Sequence, residues 1–288
     1  MRVARSPEEL GPGPRAVALG TFDGVHLGHR RLIETALAAG PEPTVVTFDP
    51  HPRTAFGNRI ELLTSLERRL ELIEELGIEA VLIVEFSLEL ARLEPQQFAE
   101  QILRPIGAEA VVAGADFRFG HGRAGDLELL RTLGFDVRPV PLLEGVSSSH
   151  IRYLVHAGQV EEAAKLLGRP VEVEGIVVTG EARGGTLGFP TANLDVRPEL
   201  LVPANGIYAG AALGNRAATS IGTNPHYGGH ERRVEAYLLD FSGDLYGQRL
   251  VVELWQRLRD EQAFETEEDL IQQIAADVER ARQADRPA

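Results

Sequence analysis

Ala16-Val-Ala-Leu-Gly-Thr-Phe-Asp-Gly-Val-His-Leu-Gly-His29 is an apolar run, then a glycine-rich turn, then two histidines three residues apart around a glycine. The residues that follow, Arg30 to Ala39, read as a helix. A strand end that feeds a helix start leaves backbone N–H groups at the positive end of a helix dipole, a natural seat for phosphate. Two imidazoles placed there can donate hydrogen bonds to a phosphorus centre as charge builds on it. Metal ligation by the pair and structural capping of the turn are the alternatives, and no third metal ligand is evident.

Outward from this stretch the pattern repeats. Apolar runs at Ala16–Leu19, Thr44–Phe48, Ala80–Val84, Glu109–Ala113 and Val137–Leu142 alternate with helical patterns. Leu63, Leu66, Leu70 and Ile73 fall on one helical face, with Thr64-Ser-Leu-Glu67 as a capping box and Gly77 as a stop. Pro95 suits the first turn of the next helix, with Phe98 and Ile102 inward. This alternation predicts an α/β fold: a doubly wound parallel sheet covered on both faces, with its ligand beyond the carboxyl ends of the strands.

After a helical stretch from Arg152 to Leu167 the pattern changes. Val171–Thr179, Ile207–Leu213, Ala217–Gly222, Val234–Phe241 and Leu250–Leu254 are β-like and separated by turns, which predicts an antiparallel β-barrel. A helix carrying Leu270, Ile271, Ile274 and Val278 closes the chain. The boundary is placed at Gly168, giving domains of residues 1–168 and 169–288.

Composition narrows the chemistry. The formal net charge of −14 repels phosphate polymers, so nucleic acid and anionic membranes are not expected partners and small molecules are. Phosphate must then be held by local donors or a metal ion. There is no cysteine, which excludes thiolate metal sites and cysteine nucleophiles and fits the cytoplasm. Lys165 is the sole lysine and no glycine-rich loop precedes it, so a P-loop is absent. Met1 to Arg15 has no apolar core and no cleavage pattern, so no signal peptide is expected.

Four further segments carry candidate chemistry. Ser147-Ser-Ser-His-Ile-Arg152 offers hydroxyls and an arginine at a helix start, suited either to ATP phosphates or to a helix cap. Gly114 to Asp126 contains Gly120-x-Gly-x-x-Gly125, but those glycines begin too far past the strand for a dinucleotide fingerprint. Asp116, Phe117, Phe119 and Arg123, with Arg118, fit a loop holding a flat phosphorylated ring, or a hydrophobic loop anchor. His51, in Asp49-Pro-His-Pro52, follows the second strand and faces phosphates or is a plain loop histidine. In the second half Thr191 and Asn193 offer oxygens of the kind Mg²⁺ accepts, or belong to a loop after a strand. Glu235 alternates with Val234, Ala236 and Leu238 and shares a face with Tyr237 and Leu239, so that face is wet or the carboxylate has a task.

The HxGH segment resembles the signature of a nucleotidylyltransferase superfamily, and Ser147–Arg152 resembles its second motif, Ser-Ser-Thr-x-Ile-Arg. The ordered set of motifs resembles the bacterial bifunctional riboflavin kinase/FAD synthetase family over roughly residues 15 to 284. It adds Leu167-Gly-Arg-Pro170, Gly188-Phe-Pro-Thr-Ala-Asn193, Asn205-Gly-Ile-Tyr208, Ile221-Gly-Thr-Asn-Pro225, Leu239 to Gly247 and Leu258-Arg-Asp-Glu261. The resemblance implies ATP and Mg²⁺ as cofactors, with riboflavin, FMN and FAD as substrates and products. It implies adenylyl transfer assisted by His26 and His29, with ATP near Gly20, Phe22, Asp23, Gly24, Gly28, Ser147, Ser148 and Arg152. It implies a kinase in which Glu235 is the base, Thr191 and Asn193 hold the metal, and Gly188 and Pro190 meet ATP. Flavin contacts fall to His51, Asp116, Phe117, Phe119, Arg123, Arg259 and Glu261. Ser149, His150 and Gly185 depart from the family pattern, while Arg183 matches a basic position. An adenylyltransferase for another acceptor and a non-catalytic flavin-binding module are the competing readings.

Overall fold

The computed structural model describes residues 1–180, 188–223 and 232–287. The chain divides into two compact units, Met1–Ser148 and Ser149–Ala288.

The first unit is built on six parallel strands: β1 (Arg2–Ala4), β2 (Arg15–Leu19), β3 (Thr44–Asp49), β4 (Ala80–Glu85), β5 (Ala108–Gly114) and β6 (Asp136–Val140). Their order is β1-β4-β3-β2-β5-β6. Near-continuous apolar strands give both faces something to bury. Ala18, Val45, Val81, Ile83 and Val112 pack with Ile33 of α2 (Leu27–Ala39) and with Leu72 and Ile73 of α4 (Leu66–Glu75). Val17, Leu19, Val46, Leu82 and Val111 face the other way. They meet Leu10 of α1 (Pro7–Leu10), Phe98 of α5 (Pro95–Phe98), Leu103 in the wide turn that follows, and Leu130 of α6 (Leu127–Thr132). The doubly wound expectation holds.

Two local readings change. β1 was not foreseen, because three residues are too few to show a period. The cap of α4 is Ser65, whose hydroxyl accepts from the Arg68 N–H at 3.0 Å, and not Thr64. Thr64 is occupied elsewhere: its Oγ1 accepts from the Gly24 N–H at 3.2 Å.

α7 (Ser148–His156) starts on the last residue of the first unit and continues into the second, where α8 (Val160–Leu167) follows. Six strands then close a barrel: β7 (Val171–Val178), β8 (Ala192–Asp195), β9 (Gly206–Ala212), β10 (Asn215–Thr223), β11 (Arg232–Leu238) and β12 (Arg249–Arg259), in the order β10-β11-β8-β7-β12-β9. All pairings are antiparallel. β8 replaces what the sequence presents as a loop. β12 runs past Leu254 because register shifts at Leu254/Gln256 and Arg257/Arg259 break the period of two. The shift buries Trp255 and Leu258 with Ala281 and Ala284 beside α9 (Glu267–Gln283).

On α9 the expected core residues Leu270, Ile271, Ile274 and Val278 are only half-buried, and the buried positions are Asp277 and Ala281. The Asp277 carboxylate accepts from Arg259 Nε and Nη2 at 2.9 and 2.7 Å and from Gln273 Nε2 at 3.1 Å. Removing a buried charged acceptor leaves those donors short. Asp277→Ala is therefore expected to lower unfolding stability by about 2–3 kcal/mol, read by urea denaturation; a loss within the error of the midpoint would contradict this.

Candidate functional site

In the first unit, β3 lies on one side of β2 and β5 on the other. The connections after β2 and β5 leave in opposite directions, which opens a crevice at the carboxyl ends of those two strands. The turn Gly20–His26 and the loop after Gly114 border this crevice.

His26 is the N-cap of α2, and its Nδ1 accepts from the His29 N–H at 3.3 Å. With Nδ1 accepting, the neutral ring carries its proton on Nε2. His26 is nearly buried and His29 half-buried, and their rings stack with centroids 3.7 Å apart and planes 12° from parallel. Gly28 makes the fold-back possible: a Cβ there would stand 3.1 Å from His26 Cε1 and 3.2 Å from Nδ1. Phe22 is fully buried and floors the His29 ring at 5.2 Å. The cap of α2 thus engages Nδ1 of His26. Among the described residues, no group of three or more His, Asp or Glu side chains stands together as a metal cluster.

Asp23 is fully buried, and its Oδ1 accepts from the Leu63 and Thr64 N–H groups at 3.0 and 3.3 Å. Its carbonyl accepts from the Ser148 hydroxyl at 3.0 Å. Asp23 and Ser148 therefore brace the turn from within. Gly20 is half-buried, Gly24 buried and Ser147 exposed, while Arg152 is half-buried on α7.

In the loop after β5, Asp116 and Arg123 are exposed and Phe117 half-buried. Phe117 stacks on Phe119 at 5.8 Å, and Phe119 is buried against Phe98 at 5.6 Å. Phe119 is thus the anchor of this loop. Gly120 and Gly125 both back onto Pro95, so packing accounts for two of the three glycines of the apparent fingerprint, while Gly122 sits in open space at a φ of 60°. Asp126 caps α6; its bond from the Leu129 N–H, aided by Arg118, holds its carboxyl below the ordinary range. His51 is buried and caps α3 (Pro52–Ala55), with Nδ1 accepting from the Arg53 N–H at 3.2 Å.

In the second unit the β8–β11 ladder sets Asn193 opposite Glu235. Directly opposed residues point to the same face. Thr191, one residue before β8, accepts at its carbonyl from Asn193 Nδ2 at 3.5 Å. Arg233 Nη1 lies 3.4 Å from Glu235 Oε1, and Tyr237 meets Phe189 edge to face at 5.5 Å. Arg233, Glu235 and Tyr237 are half-buried, whereas Val234, Ala236 and Leu238 fill the barrel. The Glu235 face is therefore the wet one. Leu239 does not share it, because β11 stops at Leu238 and Leu239 is buried beyond the strand end.

Gly188 and Pro190 are exposed, and Arg183 and Gly185 lie outside the described residues. Arg259 is oriented by Asp277, and Glu261 accepts from Asn205 Nδ2 at 3.0 Å. The spacing of Asp277 from Ile274 and Ala281 was the signal that it shares the inner stripe of α9, but a carboxylate there reads as surface.

Gly180 faces the Asn193 side chain so closely that a Cβ would meet Nδ2, Cγ and Oδ1 at 2.3, 2.4 and 2.5 Å. An alanine must push the Asn193 amide aside by ~1 Å, a misplacement that can cost ~10²-fold in rate. Gly180→Ala is expected to reduce any chemistry that uses Asn193 by about a hundredfold, while reactions of the first unit keep their rates. Equal loss in both units, in a steady-state assay of each, would refute that assignment.

A family model described as FAD synthetase matches residues 11–149, and one described as riboflavin kinase matches residues 167–284. A Listeria monocytogenes protein named bifunctional riboflavin kinase/FMN adenylyltransferase is 35% identical, covering 93% of this chain and 91% of its own. A protein of the same name from Escherichia coli is 34% identical, covering 98% and 97%. A solved structure from Streptococcus pneumoniae, described as a macrolide-efflux protein, superposes with a TM-score of 0.87 at 32% identity, covering 98% of this chain and 99% of that one. Among the described residues, no helix is long and apolar enough to cross a membrane. With both units matched and more than nine-tenths of the chain aligned at this identity, the chain belongs to the bifunctional riboflavin kinase/FMN adenylyltransferase family.

Proposed function

We propose that the chain phosphorylates riboflavin to FMN in residues 169–288 and adenylylates FMN to FAD in residues 1–168, with ATP as donor in both steps. The observation that carries this reading is the division of chemistry between the units. A paired carboxylate and amide stand on one ladder of the barrel, and a stacked imidazole pair stands at the sheet's switch point.

In the kinase step a ribityl hydroxyl of riboflavin attacks the γ-phosphorus of ATP. The O–H bond breaks, the new P–O bond forms, and ADP leaves. A neutral hydroxyl sheds its proton during transfer, and Glu235 accepts it. The donor set of Thr191 and Asn193 is all oxygen and leaves room for phosphate, which suits Mg²⁺ rather than a softer ion. Thr191 and Asn193 would hold the ion, whose positive charge would be set against the transferring phosphates. Gly188 and Pro190 flank ATP, and Arg259 and Glu261 contact the flavin.

In the adenylyl step an FMN phosphate oxygen attacks the α-phosphorus and pyrophosphate leaves. That nucleophile is already ionised, its second pKa being about 6, so no base is needed. Orientation and charge stabilisation suffice, and His26 and His29 donate to the phosphate oxygens. Gly20, Phe22, Asp23, Gly24, Gly28, Ser147, Ser148 and Arg152 form or brace the ATP site, and His51, Asp116, Phe117, Phe119 and Arg123 that of FMN. All ligands are small molecules, and we place the protein in the cytoplasm.

Purified full-length protein incubated with riboflavin, ATP and Mg²⁺ should yield FMN and then FAD, resolved by chromatography. Flavin binding with neither product would favour a non-catalytic module. Adenylylation of a different acceptor, with FMN untouched, would favour the other competing reading.

A further inference from the structure

Among the described residues Arg69 is the largest fully buried side chain, at 0% exposure. It lies on α4, and among the described residues only one of its side-chain nitrogens has a hydrogen-bond acceptor: Nη1 donates to the Phe48 carbonyl at 3.2 Å. Nε and Nη2 are buried with no acceptor among the described residues. A buried guanidinium so poorly matched is costly and asks for a reason. Burial pushes its proton affinity down, and the neighbouring charges of Asp23 and Asp49 push it back up.

Those two neighbours sit on the two connections that carry candidate ligand groups. Asp23 is in the turn that leads to His26, and Asp49 ends β3, two residues before His51. The first turn is strained: Phe22, Gly24 and Val25 all have positive φ, at 52°, 83° and 39°. For a β-branched residue such as Val25 that is a marked outlier. The strain is held by Asp23 on the Leu63 and Thr64 N–H groups and by Thr64 on the Gly24 N–H. Leu63 and Thr64 lead directly into the helix that bears Arg69.

We propose that Arg69 is a positioning residue for adenylyl transfer, setting the turn that carries His26 and His29 against the β3 end that carries His51. It acts through Asp23 and the Phe48 carbonyl and touches no substrate. The inference rests on the adenylyl-transfer reading of the first unit.

The test compares Arg69→Met and Arg69→Lys with the parent, all full-length, in steady-state FAD formation from FMN. Arg69→Met is expected to lower kcat by about a hundredfold, while KM for ATP changes less than about threefold, the pattern of lost orientation rather than lost binding. Arg69→Lys should recover at least about tenfold of that loss, because a cation again faces the two carboxylates. Riboflavin phosphorylation by the same variants should stay within about twofold, since it belongs to the other unit. An Arg69→Met kcat within threefold of the parent overturns the proposal, as does a raised KM with kcat intact, which would make Arg69 a ligand contact. Should Arg69→Met fail to fold, Thr64→Val decides. It keeps the buried charge and volume but removes the acceptor of the Gly24 N–H, and is expected to lower kcat about tenfold; an unchanged kcat there overturns the proposal. A parent that makes no FAD would instead refute the function assigned to the unit.

Discussion

Glu235→Gln is expected to reduce FMN formation from riboflavin by about a hundred- to ten-thousandfold, the range a positioned general base supplies. Glutamine keeps the shape and length of the side chain and its place opposite Asn193, but cannot take up the hydroxyl proton. The fall should appear in kcat, with KM for riboflavin and ATP little changed, because the proton moves only in the transition state. FAD formation from added FMN should proceed at the parental rate. The half-buried setting beside Arg233 makes the substitution structurally mild, so a matched melting curve is part of the expectation. A variant that still makes FMN within tenfold of the parent would remove Glu235 from the base role. Loss of both activities in a folded variant would contradict separate centres.

His29→Ala is expected to give the mirror image. FAD formation should drop by about a hundred- to a thousandfold, the usual effect of deleting one charge-stabilising donor, and FMN formation should persist. His29 is the better first target of the pair because its side chain does not cap the helix. Deleting the His26 ring also removes the acceptor of the His29 N–H, a cap worth about 1 kcal/mol, so His26→Ala mixes a stability loss with a rate loss. Coupled FMN and FAD chromatography distinguishes the two variants from the parent. An FAD rate in His29→Ala within threefold of the parent would show that the stacked pair plays no part in transfer.

Much of this architecture is legible from residue patterns. The four inner parallel strands, β2 to β5, announce themselves because both faces are buried and the runs stay apolar, whereas the edge strand β6 is mostly exposed. The barrel is harder. β12 hides its second half because bulges move Trp255 and Leu258 onto a new face, and β8 hides because a short strand rich in small and polar residues reads as a turn. The HxGH spacing marks the imidazole pair, but the reason for its glycine becomes visible only when the His26 ring is seen folded over it. Asp23 shows the opposite limit. Its residue type suits a ligand contact, and only the fold reveals that its carboxylate is turned inward onto two backbone N–H groups. Thr64 likewise looks like a cap from its neighbours, while Ser65 does that work.

The opposition of Asn193 and Glu235 across the β8–β11 ladder has an evolutionary corollary. The two groups are separated by a long stretch of chain, yet their spacing is set by backbone pairing and is indifferent to the length of what joins the strands. Natural lineages can therefore lengthen or shorten the intervening segment without touching the pair. A single-residue insertion within either strand, by contrast, would swing one partner into the barrel interior. Across homologues, length variation should accordingly concentrate outside β8 and β11, and the same two short strands mark the minimum that a transplanted or permuted barrel must preserve.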